Sequence, residues 1–381
     1  IWDTFSKTPG KVKNADNGDV ACDHYHRFEE DIQIMKDLGI QTYRFSLAWP
    51  RLFPEGDSRR EQRGFDFYNR LIDALIAAGI EPIITAYHWD LPQPLQDKGG
   101  WANRDTAYAF ADYVGAAVEA FGDRVQSWLT LNEPWCTSWL GYGNGVHAPG
   151  VQNLDHAVAA AHHTALAHGL GVRAALAANP TIKVGIAVNM TNYIVTNPEN
   201  PELLELEELM DGQLNRWWLD ALTTGHYPAA TAASFGERLD RVFMPGDSEI
   251  LKVRTDFVGI NYYSDGFLNE PGPEVEPIEK GMVFPFPQRT DGSGPPPYTD
   301  IGWPITPDGL GNLVLRVARD WPELEIIISE NGACFPEGPD SNGEVPDTRR
   351  VDYLDGHLQS LARGIAEGAP VTAYYVWSLM D

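Results

Sequence analysis

Residues 325–332 read EIIISENG and residues 125–134 read VQSWLTLNEP. Each is a short apolar run that ends on a glutamate, Glu330 or Glu133, directly before a chain-turning Asn-Gly or Pro. Runs this apolar over so few residues fit strands buried on both faces, the habit of parallel sheets covered by helices. Five further runs share the character: QTYRFSLAW at 41–49, EPIITAYHWD at 81–90, KVGIAVNM at 183–190, FVGINYYS at 257–264 and VTAYYVWSLMD at 371–381. An amphipathic stretch at 27–38, closed by Gly39, precedes the first, and a helical stretch at 68–78, closed by Gly79, precedes the second. Glycine at that place is the usual helix C-terminal signal.

Strands alternating with helices imply βαβ units, which build either a barrel or a doubly wound sheet. The placement of polar and aromatic residues separates the two. Arg44, His88, Trp89, Asn132, Glu133, Asn261, Tyr263, Glu330 and Trp377 all fall at or near strand C-terminal ends. A site drawn from many strand ends belongs to the barrel, whereas a doubly wound sheet gathers its site at one switch point. No Gly-rich phosphate fingerprint follows any of the runs. The expected fold class is therefore α/β, a (β/α)8 TIM barrel with seven of its eight strands visible, spanning 1–381 as one catalytic domain.

Composition narrows the partners. Hydrophobic residues make up 43% and charged residues 22%, as in ordinary globular chains, and no apolar run is long enough to span a bilayer. A formal net charge of −26 disfavours nucleic acid and anionic membrane while leaving a neutral ligand such as a sugar unaffected. Cys22, Cys136 and Cys334 are an odd number at wide spacing, which fits free thiols in a reducing compartment and so a cytoplasmic location. Cys22, His24 and His26 in CDHYHRFEED do not complete a metal-ligand set, and no metal or other cofactor is expected. His162, His163 and His168 lie on an Ala-rich helical stretch and read as solvated or packed. The Pro- and Gly-rich text at 269–299 reads as a long loop over the barrel mouth, either a wall for the leaving group or a plain surface excursion.

Two strand-end glutamates are what glycoside cleavage needs: one carboxylic acid to protonate the departing oxygen and one carboxylate to attack. TLNEP, ISENG, YRFSLAWPRLFPEG, YHWDLPQPL, FVGINYY and YYVWSLMD, in this order, resemble glycoside hydrolase family one, the β-glucosidase family. The resemblance implies Glu133 as acid/base and Glu330 as nucleophile of a retaining β-glucosidase acting on a β-glucoside or cello-oligosaccharide. It also implies that Asn132 holds the sugar 2-hydroxyl, His88 bonds the 3-hydroxyl with Trp89 beside it, and Trp377 forms the sugar platform. Arg44 and Tyr263 would touch the nucleophile, Asn261 would support it, and Trp303 would stand on the leaving-group side. A cation and a phenol beside Glu330 favour its ionised form, and Glu133 facing that charge favours its protonated form until glycosylation removes it. Family members that cleave thioglucosides carry glutamine at the acid/base position, so Glu133 points to O-glycosides. The WSLMD text at 377–381 is similar to enzymes of unphosphorylated sugars.

By the same resemblance, a first strand and a C-terminal closing segment are expected outside this chain, with weak catalysis until they are restored. A catalytically silent sugar-binding scaffold is the alternative, and turnover of a chromogenic β-glucoside separates it from an enzyme. A retaining pair requires the carboxyl groups of Glu133 and Glu330 to lie about 5 to 5.5 Å apart. A crystal structure placing them beyond about 8 Å would contradict the retaining assignment.

Overall fold

All seven apolar runs fold as strands, and most stop before their apolar text does. The computed structural model describes residues 1–269 and 297–380, so most of the stretch read as a loop at 269–299 lies outside the described residues. The strands are β1 (Thr42–Ser46), β2 (Glu81–Tyr87), β3 (Ser127–Asn132), β4 (Lys183–Asn189), β5 (Tyr193–Val195), β6 (Phe257–Asn261), β7 (Gly266–Leu268), β8 (Glu325–Asn331) and β9 (Val371–Val376). β1 ends early because Trp49 and Pro50 already open the short helix Trp49–Leu52, where a proline costs no hydrogen bond. The expected helices are longer at their starts, at His24–Asp37 and Gln62–Ala77. In the second, the Glu61 side chain accepts from the Arg63 N–H, and Phe65 and Phe67 are buried.

Seven strands form one sheet in the order β1-β2-β3-β4-β6-β8-β9. The registers run parallel, with Arg44 beside Ile83, Ile84 beside Trp128, and Asn261 beside Glu330. Each strand in turn joins the growing edge without a reversal, and a doubly wound sheet would show one. The fold class is thus the α/β barrel, with seven strands in the main sheet among the described residues. β5 and β7 pair separately, and three residues apiece are too few to show a readable alternation.

The chain divides into two compact units. The first comprises Ile1–Ala187, Ala221–His226 and Phe235–Asp256. Its strand β2 is buried from Pro82 to Tyr87, whereas β1 at the end of the sheet buries only Phe45. Helix Leu154–Ala178 packs along helix Asp105–Phe121, and small residues allow the close approach: Gly171 lies against the Phe110 ring. His162, His163 and His168 of the long helix are packed rather than solvated. His163 Nδ1 meets the Trp101 carbonyl at 2.9 Å, and His168 bridges Thr130 at 2.7 Å and Thr255 at 3.1 Å. His162 Nε2 meets Asp247 at 2.8 Å, and Arg104 grips the same carboxyl with both guanidinium nitrogens. Burial alone would raise the Asp247 pKa, but bonds from His162 and Arg104 outweigh it and hold the carboxyl well below the usual range.

The second unit comprises Val188–Asp220, Tyr227–Ser234 and Phe257–Asp381. β8 is buried from Ile326 to Asn331, while β9, last in the sheet, is only partly covered. Fully burying each isoleucine of β8 contributes about 1.5 to 3 kcal/mol. Arg316 pairs with Asp211 through two contacts of 2.7 Å, and Asp211 accepts from Asn215, which binds both backbone groups of Thr191. Among the described residues no helix is long and apolar enough to cross a membrane.

Replacing Asp247 by Asn leaves Arg104 and His162 without their shared carboxylate. Breaking a buried ion pair in this way costs about 3 to 5 kcal/mol. A urea unfolding series on the full chain is expected to show that loss, and a change below about 1 kcal/mol would contradict the clamp.

Candidate active site

In the first unit the ends of β2 and β3 carry His88, Trp89, Asn132 and Glu133, with Asn132 bonded to Arg44 of β1. Arg44 Nε donates to Thr85 at 3.0 Å, and its Nη2 donates to the Asn132 side-chain oxygen. The Asn132 amide nitrogen lies 3.2 Å from His88 Nε2, which accepts from it. The His88 imidazole is pushed down to about 3, first by its enclosed position and second by the Arg44 charge, so it is neutral near pH 7. Trp89 donates its indole N–H to the Asn132 carbonyl at 3.0 Å. It does so from a left-handed backbone, φ 79°, where Trp2 stacks on it at 6.3 Å and donates to its carbonyl at 3.0 Å.

Glu133 follows the last residue of β3 and is 7% exposed. Its backbone is also left-handed, φ 45°, a conformation that costs a non-glycine residue about 1 to 3 kcal/mol and concentrates at functional sites. The surroundings hold it there. Its N–H donates to Ala187 at 2.8 Å, its carbonyl accepts from Thr137 at 3.2 Å, and the buried Cys136 thiol donates to Oε2 at 3.2 Å.

In the second unit Glu330 lies near the end of β8 and is 3% exposed. The Tyr263 hydroxyl donates to its Oε2 at 2.5 Å, a short charge-assisted bond. The Trp303 ring meets Tyr263 edge-on at 5.3 Å. Asn261, buried on β6, accepts from Ser329 at 2.6 Å. Trp377 leaves β9 half-exposed, its N–H donating to the Asn331 carbonyl at 3.0 Å. A Cβ on Gly332 would stand 2.2 Å from the Trp377 carbonyl oxygen, so only glycine fits that crossing.

Thus Arg44, His88, Trp89, Asn132 and Glu133 are gathered in one unit, and Asn261, Tyr263, Trp303, Glu330 and Trp377 in the other. The profile of glycosyl hydrolase family 1 matches residues 1–381. The chain belongs to glycosyl hydrolase family 1. A β-glucosidase A from Acetivibrio thermocellus is 42% identical to this family 1 chain over 383 residues, covering 100% of it and 83% of the relative. Among solved structures, a family 1 β-glucosidase from Thermotoga maritima is similar with a TM-score of 0.90 at 39% identity, covering 99% of this chain and 82% of the other. A β-glucosidase from the same organism in complex with deoxynojirimycin is similar with a TM-score of 0.88 at 39% identity, covering the same shares.

Several partners of these family 1 residues were not singled out from the sequence. Thr85 and Ser329 lie inside the runs at 81–90 and 325–332, and Cys136, legible in sequence only as a free thiol, follows the run at 125–134 by two residues; which neighbour each meets depends on register and backbone turn. The candidate metal residues go elsewhere: His24 binds Asp31 and His26 binds Asp23, each at 2.6 Å, and Cys22 is exposed.

His88 generates a pH prediction. Its folded pKa of about 3 lies below the ordinary value near ~6.5. Stability linked to neutral His88 is therefore fully present above ~6.5 and declines as pH falls toward the folded value. Ring NMR signals of His88 are expected to stay constant from about pH 8 to about pH 5, and a titration step near ~6.5 would contradict its neutral role.

Proposed function

We propose that this chain is a retaining β-glucosidase in which Glu330 attacks the anomeric carbon and Glu133 serves as acid and then base. The observation that carries the reading is that two glutamates, 7% and 3% exposed, stand at the C-terminal ends of β3 and β8 in a chain of this family. Buried carboxylates at barrel strand ends are where such chemistry is found. The relatives described above, named β-glucosidases, support glucose as the sugar.

In the first step the Glu330 carboxylate bonds to the anomeric carbon as the glycosidic bond breaks, and Glu133 gives its proton to the departing oxygen. In the second step Glu133 takes a proton from water, whose oxygen displaces Glu330 and restores the β configuration. Asn132 and His88 hold the 2- and 3-hydroxyls, with Trp89 beside them. Trp377 supplies the sugar platform, and Asn261 supports the nucleophile with Tyr263 and Arg44. Trp303, edge-on to Tyr263, stands on the leaving-group side. Neutral His88 suits a hydroxyl, because an uncharged imidazole both accepts and donates. Cello-oligosaccharides and cellobiose are the proposed substrates, cleaved by a single catalytic domain. Three unbridged cysteines, two of them exposed, fit work in the reducing cytoplasm.

Replacing Glu330 by Gly is expected to abolish turnover for every leaving group, and added azide to restore cleavage with inverted product. Replacing Glu133 by Ala is expected to slow substrates with poor leaving groups by roughly 10² to 10⁴, with much smaller losses for good ones. Equal first-step losses for good and poor leaving groups in the Glu133 variant would sink the acid/base assignment.

A further inference from the structure

The Glu330 carboxylate is part of a closed circuit of hydrogen bonds in the second unit. Tyr263 donates to it at 2.5 Å, and the Tyr263 carbonyl in turn accepts from the Tyr353 hydroxyl at 2.8 Å. That hydroxyl accepts from the Asn331 side-chain amide at 3.1 Å, and Asn331 is joined to Glu330 by the next peptide bond. The same amide nitrogen donates to the Tyr262 carbonyl at 2.7 Å, while the Asn331 side-chain oxygen accepts from Tyr374 of β9 at 2.6 Å. Tyr353 comes from helix Thr348–Ala366, is 2% exposed, and stacks on His357 with 3.9 Å between ring centres.

The circuit answers a local problem. β6 ends at Asn261, so Tyr263 carries its phenol on backbone outside the strand ladder, and something else must fix that backbone. We infer that Tyr353, acting through Asn331 and the Tyr263 backbone, is a positioning residue that sets the hydrogen bond between Tyr263 and the Glu330 nucleophile. The inference rests on the proposed role of Glu330. Removing the Tyr353 hydroxyl leaves the Tyr263 carbonyl and the Asn331 amide each short of a bond. The Tyr263 phenol then loses its fixed line to the carboxylate. Misplacing a reacting group by about 1 Å can cost about 10²-fold in rate.

The test is Tyr353→Phe in the full chain, which keeps the ring and its stack on His357. An activated 2-deoxy-2-fluoro-β-glucoside traps the covalent intermediate, and intact mass follows the trapping rate while peptide mass locates the adduct. Trapping and kcat are expected to fall about 10- to 100-fold, with KM changed less than about threefold. Tyr374→Phe, which loosens Asn331 from its far side, is expected to produce a weaker form of the same loss. Asp247→Asn controls for destabilisation alone, and its folded fraction is expected to trap at the parent rate. In a Tyr263→Phe background, adding Tyr353→Phe is expected to cost less than about threefold more, since residues acting through one contact are not additive. An adduct on Glu330 with an unchanged rate in Tyr353→Phe, or a full multiplicative loss in the double variant, overturns the inference and leaves the nucleophile assignment intact. An adduct on any residue other than Glu330 overturns both.

Discussion

A charge can be carried on a strand buried on both faces only where other polar groups take over from water. Moving a carboxylate out of water costs several kcal/mol unless hydrogen bonds replace the lost hydration. β2 and β8 are covered along almost their whole length, so their interiors are mainly apolar, with Thr85 and Ser329 as hydrogen-bonded exceptions, and their ends receive the functional side chains. Glu133 and Glu330 each meet this constraint with a donor from a nearby residue, Cys136 for the first and Tyr263 for the second. The left-handed backbone at Trp89 and Glu133 belongs to the same constraint, because leaving a strand sharply is what turns these side chains off the ladder.

The rest of each unit holds those strand ends still. In the first, His168 fixes Thr130 two residues before Asn132. In the second, the chain from Arg316 through Asp211 and Asn215 to Thr191 ends at the Ser264 carbonyl, next to Tyr263. Buried polar groups satisfied in this way favour one arrangement over its alternatives, since any other leaves a donor or acceptor bare. Rigid support of this kind is what a nucleophile and a proton donor require, because their chemistry tolerates little displacement.

The sequence by itself determined the seven strands of the main sheet, their parallel class and the two glutamates that close TLNEP and ISENG. Those features are local: the length of an apolar run and the residue at its end are written in consecutive letters, and burial on both faces erases the polar alternation of other sheets. Only the tertiary structure decided the rest. The three-residue pair β5 and β7 is too short to carry a pattern, and the starts of helices His24–Asp37 and Gln62–Ala77 rest less on periodicity than on packing, as of Tyr25 on Phe67, and on the Glu61 cap of the second. Nothing in the spacing of Tyr263, Asn331, Tyr353 and Tyr374 says that they share one set of hydrogen bonds. A hydrogen bond depends on positions fixed to within a few tenths of an ångström, and residues far apart in sequence reach them only after strand register and helix packing have been set.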